Sequence, residues 1–193
     1  MMWPWEHLVV AYVLYSLLAH VVLRRSPTTR ETIAVAVGSQ LPDLIDKPLA
    51  WTFEITEGGY AIGHSILVVP IVCLAVLAAA GHYGAERSVA GAFSTAIGSH
   101  LVADIVNPVR LGRPPELRVI LWPVATPPAY DRGSFLDHFV AYFVRYADQL
   151  LGNGLSTQIV VQLGIGVGVV ALWFYDGAPI VSDCWRAVRS RLH

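Results

Sequence analysis

Six side chains able to bind a metal ion or move a proton stand in a chain that is otherwise strongly apolar: His7, Asp43, Asp46, His64, His100 and Asp104. An ionisable group within a membrane segment is costly and marks a functional site by default. His100-Leu-Val-Ala-Asp104 is an i, i+4 pair, so both side chains project from one helical face. Asp43-Leu-Ile-Asp46 is an i, i+3 pair, again on one face. Imidazole and carboxylate together suit zinc, manganese or iron. No thiolate belongs to the set, so the pattern points to a catalytic ion with an open water position rather than a closed structural one. Singly, each has a plainer reading: a hydrogen-bonded pair at His100 and Asp104, a turn at Asp43 and Asp46, interfacial helix starts at His7 and His64.

The elements that must position these groups are membrane helices. The chain has 193 residues, 55% hydrophobic and only 14% charged, against about 25% charged in soluble domains; its mean hydropathy is +0.55. A span needs about 20 mostly apolar residues. The sequence predicts an all-α, polytopic membrane helix bundle of about five transmembrane segments, forming one domain over residues 1–193. The segments are Leu8 to Leu23, with Trp3 and Trp5 as an aromatic anchor, Thr32 to Ile45, Ala61 to Ala80 with Pro70 as a kink, Ser88 to Ile105, and Leu155 to Tyr175. Residues 107–133 hold six prolines and four arginines and read as an irregular loop. Residues 134–151 place Phe139, Tyr142 and Phe143 at helical spacing, an amphipathic helix against the membrane or the bundle.

Short connections fold the segments up and down. The start of the first, the end of the second, the start of the third and the end of the fourth then share one side of the membrane. All six groups converge there, whichever side it is. Arginine and lysine placement favours the N-terminus outside, which makes the site extracytoplasmic in a multi-pass cell-membrane protein.

Composition also excludes. The net charge is −1 with no basic tract, which argues against nucleic acid as a partner. Cys73 and Cys184 form no Cys-x-x-Cys pair, so no disulfide framework or thiolate zinc site is suggested. The N-terminal apolar run ends in Arg24-Arg25 without a small-residue cleavage site and reads as a retained helix rather than a signal peptide.

His7, Leu41-Pro42-Asp43-Leu44-Ile45-Asp46, Gly63-His64-Ser65, Gly98-Ser99-His100-Leu101-Val102-Ala103-Asp104 and Leu121-Trp122-Pro123 occur in that order. The series resembles the YdjM-like family of membrane-bound predicted metal-dependent hydrolases, regarded as distant relatives of the zinc-dependent phospholipase C and nuclease superfamily. The likeness covers roughly residues 5 to 125. Many members carry a His-Arg-Gly before a Thr-His-Ser; here the stretch reads Gly59-Tyr60-Ala61-Ile62-Gly63-His64-Ser65. A usual histidine and arginine are absent, which leaves the number of ions open. The resemblance implies a reaction class more than a substrate.

The expectation is therefore hydrolysis of a phosphoester at the membrane surface, with membrane lipids as nearest substrates. Asp43, Asp46, His64, His100, Asp104 and His7 would hold one or two divalent ions, zinc foremost, and Asp43 or Asp46 would act as general base. Ser65, Arg110, Arg113, Arg118 and His138 are candidate substrate contacts. The rivals are a cation or proton transporter, since intramembrane His and Asp also form ion relays, and a non-catalytic scaffold locked by the same polar cluster.

Overall fold

The computed structural model describes residues 2–84, 86–128, 134–151 and 157–191. Helix α1 (Pro4–Leu18) continues through a π-helical turn (Ala19–Leu23) and ends at Arg24 in the left-handed conformation. Then come α2 (Thr29–Trp51), α3 (Val69–His82), α4 (Arg87–Val106), α5 (Phe135–Leu151), α6 (Thr157–Tyr175) and α7 (Val181–Arg189). No strand occurs among the described residues.

Helix α2 runs along α4, with α1 against both and α3 on the flank of α4. Gly38 makes the α2–α4 approach possible: a Cβ there would come within 2.7 Å of the Phe93 carbonyl oxygen. Small residues let backbones meet this closely in apolar bundles. Ala11, Tyr12 and Tyr15 of α1 close over Val35, Ala92 and Ala96. Val69 packs with Phe93, Ile97 and Leu101. Helix α2 starts at Thr28, whose hydroxyl accepts from the Glu31 amide while the Glu31 carboxylate accepts from Thr28 N–H. This reciprocal cap is reinforced by two hydrogen bonds from Arg25 to Glu31.

Two helices, Pro4–Leu23 and Arg87–Leu111, are long and apolar enough to cross a membrane, where the sequence reading expected about five. The second expected span, 32–45, is part of the longer α2, which passes through Pro42 and Pro48 and carries buried Glu31, Asp43, Asp46 and Lys47. Those groups deprive it of the apolar length a span needs. The third, 61–80, breaks because Ile62–His64 forms a 3-10 turn and α3 begins only at Val69. Pro70 therefore sits in the first turn of a helix, where its missing N–H costs nothing, and makes no kink. Val69–His82 and Ile159–Tyr175 are apolar but shorter. Both nevertheless present apolar side chains outward, including Ile71, Leu74, Val167 and Phe174. The amphipathic helix at 134–151 is present as α5. The proline-rich loop contains two 3-10 turns, Asn107–Leu111 and Leu117–Ile120, and residues 129–133 lie outside the described residues. Helix α7, with exposed Trp185 and Val188, was not predicted.

Candidate metal centre

Four side chains from three elements meet beneath the ends of α2 and α4. Nitrogen or oxygen atoms of Asp43, His64, His100 and Asp104 all lie within 4.8 Å of one another, and all four residues are buried. His64 Nε2 is 3.1 Å from His100 Nε2. Asp104 Oδ2 lies 3.3 Å from His64 Nε2 and 3.5 Å from His100 Nε2, and Asp43 Oδ1 lies 3.7 Å from each.

The other edge of each imidazole decides what these distances mean. His100 Nδ1 donates to the Ser39 carbonyl at 2.7 Å. His64 Nδ1 donates to Asp46 Oδ2 at 2.7 Å. In a neutral imidazole one nitrogen donates and the other carries a lone pair, so with both rings neutral the two Nε2 atoms turn lone pairs toward each other. Two lone pairs and two carboxylates directed at one point repel unless a cation lies between them. Bonds of 2.0–2.1 Å in a tetrahedral site imply ligand separations of about 3.3 Å, close to the spacings found. The donor set fits a divalent transition ion.

Local sequence explains the positioning. His100 and Asp104 project from successive turns of α4, and Asp43 from α2 opposite. His64 is delivered by the 3-10 turn after α2, which is fastened by Asp46. That carboxylate accepts the amides of Ala61 (2.7 Å), Gly63 (2.8 Å) and His64 (3.0 Å) as well as the imidazole. Gly63 permits the fit, since a Cβ there would meet the Pro42 carbonyl oxygen at 2.7 Å. Asp46 thus lies behind His64, with both oxygens occupied. A carboxylate or carbonyl holding the far nitrogen is the usual outer support of a metal-binding histidine.

His7 completes the polar core. It is 1% exposed, stacks on His100 with ring centroids 3.8 Å apart, and approaches Asp104 Oδ1 to 3.6 Å. Neither His7 ring nitrogen has a hydrogen-bond partner, nor does Asp104 Oδ1. Buried polar atoms are rarely left so. Lys47, which sequence reasoning assigned no role, donates to Asp43 Oδ2 and lies over the Trp51 ring. Three buried carboxylates against one lysine leave two negative charges. A single divalent cation balances them.

Asp104 also lines a cavity of about 610 Å³, walled by Trp51, Tyr60, Asn107, Arg113 and His138 among others. His138, on α5, stacks flat on Trp51 at 4.3 Å and bonds through Nδ1 to the Ser134 carbonyl. Tyr60 packs edge-on against His64. Burial, with the Asp104 and Asp43 charges, pushes its phenol well above its ordinary value, so it stays a hydrogen-bond donor. Of the predicted substrate contacts, Arg113 and His138 reach this cavity. Ser65 does not line it; its hydroxyl donates to the Trp122 carbonyl. Arg110 pairs with Glu6 at 3.0 Å, and Arg118 with Glu116 at 2.6 Å. Lys47, Trp51 and Tyr60 were missed. The i, i+4 spacing of Asp43, Lys47 and Trp51 was the available signal for the first two.

The profile of the YdjM inner membrane protein family matches residues 1–178. The chain belongs to that family. No curated protein and no solved structure matches it. Membership and the two apolar spans together locate the protein at the membrane, and the family match takes in every residue of the buried cluster.

Proposed function

We propose that this protein is a membrane-embedded metal-dependent hydrolase of phosphoesters, phospholipids among them, with its centre on the extracytoplasmic side of a multi-pass bundle. One observation carries the reading: two imidazole Nε2 atoms 3.1 Å apart, ringed by buried carboxylates, beside a cavity that Asp104 lines. Asp43, His64, His100 and Asp104 would hold one ion, zinc foremost, with manganese or iron as alternatives. The chemistry such an ion would supply when bound is an acidified water and a polarised ester oxygen. The outward apolar faces of α3 and α6 support lipid contact beyond the two long spans.

The protein's own groups supply the rest. Asp46 and the Ser39 carbonyl fix the two imidazoles, so the centre pays little reorganisation during reaction. His7, unpartnered at both nitrogens, would accept a proton from a water held at the centre, a role less open to Asp46, whose oxygens are already occupied. Tyr60 and Arg113, which line the cavity, offer donors to a phosphoryl group. Trp51 and His138 wall the cavity and limit its access to bulk water.

The test is purification in detergent, metal analysis, and assay against bis(p-nitrophenyl) phosphate and phospholipid vesicles. The expected result is about one ion per chain, with metal and hydrolysis both lost in His100→Ala. Wild-type protein that takes up neither zinc nor manganese, or hydrolysis unchanged in His100→Ala, overturns the reading. Proton- or sodium-coupled flux in liposomes without such a metal would establish the transporter instead.

A further inference from the structure

A second cavity, of about 580 Å³, runs between the two membrane-crossing helices. Val10 and Leu14 of α1 form one wall, and Gly98, Val102 and Val106 of α4 the other. These walls are almost wholly apolar, and Val10, Leu14, Val102 and Val106 are each between 40% and 58% exposed. Water is not the medium for such a surface. Along α4 the groove reaches from Ser94 to Asn107, which at 1.5 Å per residue is about 20 Å. One leaflet of hydrocarbon is about 15 Å deep. The groove is thus long enough to take one lipid tail.

Its boundary end is not apolar. Asn107 lines both this groove and the cavity beside Asp104. Arg110 lines the groove as well; its guanidinium bonds Glu6 through Nη1 and remains 45% exposed. An apolar channel of leaflet depth, a cation at the headgroup level and a shared wall with the polar cavity describe one class of occupant. We infer that the α1–α4 groove binds an acyl chain of an anionic phospholipid, whose phosphate passes Arg110 and whose headgroup enters the cavity at Asp104. Lipid binding stands on the groove itself; its identity as the substrate subsite rests on the hydrolase reading.

Gly98 gives the test, because it lines the groove and a Cβ there meets nothing within 4 Å, so a leucine side chain starts into the groove from open space. Gly91, on the same helix and equally open, lines neither cavity and is the control. The full chain is reconstituted in phosphatidylcholine vesicles containing phosphatidylglycerol with a diazirine on one acyl chain. Photolabelling should concentrate on residues 10–14 and 94–106. It should fall about 10-fold, the scale for filling an apolar pocket, in Gly98→Leu and in Val102→Phe, and be unchanged in Gly91→Leu. Retained bound metal in each variant shows that the bundle is intact. Hydrolysis of long-chain phosphatidylglycerol should fall with the labelling, while that of bis(p-nitrophenyl) phosphate should not.

Labelling spread evenly over α1, α3, α4 and α6, or alike in Gly98→Leu and Gly91→Leu, overturns the inference. So does an α1–α4 interface between two copies that Gly98→Leu disperses. Confined labelling in a protein that hydrolyses neither substrate upholds the lipid site and removes the hydrolase reading alone.

Discussion

Helix α1 carries a buried polar group toward each end, and the two are treated in opposite ways. At the far end Asp176, just past α6, accepts from Tyr12 Oη at 2.7 Å and from Ser16 Oγ at 2.8 Å, and lies 2.7 Å from His20 Nε2. Both of its oxygens are used, and three successive helical turns of α1 are pinned to α6. At the near end His7 keeps two unpartnered nitrogens beside an unpartnered oxygen of Asp104. The residue types are alike and the burial is similar. A fully satisfied network makes a rigid joint; an unsatisfied one at the same depth marks a place for something else. The far end is a latch and the near end a receptacle.

Metal affinity is the scale on which to break that contrast. His100→Ala removes one of the four proposed ligands and should lower bound metal by more than about 100-fold, read by metal analysis after dialysis. Asp46→Asn leaves the ligands in place but loosens the turn behind His64, and should weaken binding about 10- to 100-fold in a chelator titration. Lys47→Met acts with opposite sign. Removing the lysine charge beside Asp43 leaves the centre more negative, so affinity should rise about fivefold, well short of the full Coulomb term because the site relaxes. Asp176→Ala should leave metal content unchanged yet lower thermal stability by about 1–3 kcal/mol, since Tyr12 and Ser16 lose their acceptor; differential scanning fluorimetry reads the shift. Loss of metal in Asp176→Ala would erase the distinction between the two ends.

The convergence of His7, Asp43, Asp46, His64, His100 and Asp104 was legible in the sequence because it needed only helix order and short connections. The number of crossing helices was not. Residues 61–80 read in sequence as a clear apolar run and 32–45 as a shorter one, yet their first duty is local. Prolines 42 and 48 and four buried charged groups belong to α2, and residues 62–64 must turn sharply to hand His64 to the centre. Nor could spacing separate Asp43 from Asp46. An i, i+3 pair shares a face, but which member comes near both Nε2 atoms depends on the 61–64 backbone wrapping around Asp46. Lys47 was hidden for a related reason: in sequence it is one of thirteen basic residues, and only burial beside Asp43 gives it meaning.

The atom that orients His100 is a main-chain oxygen, that of residue 39, in the helical turn ahead of Pro42. No side-chain replacement at position 39 deletes it, so an alanine survey reads only the Ser39 hydroxyl, which bonds Ala36 and Gln40, and misses this acceptor. Backbone chemistry is the sharper tool: an amide-to-ester exchange between residues 39 and 40 weakens the acceptor while every side chain stays the same. The ring should then rotate more freely, and the centre should soften without any change in its composition.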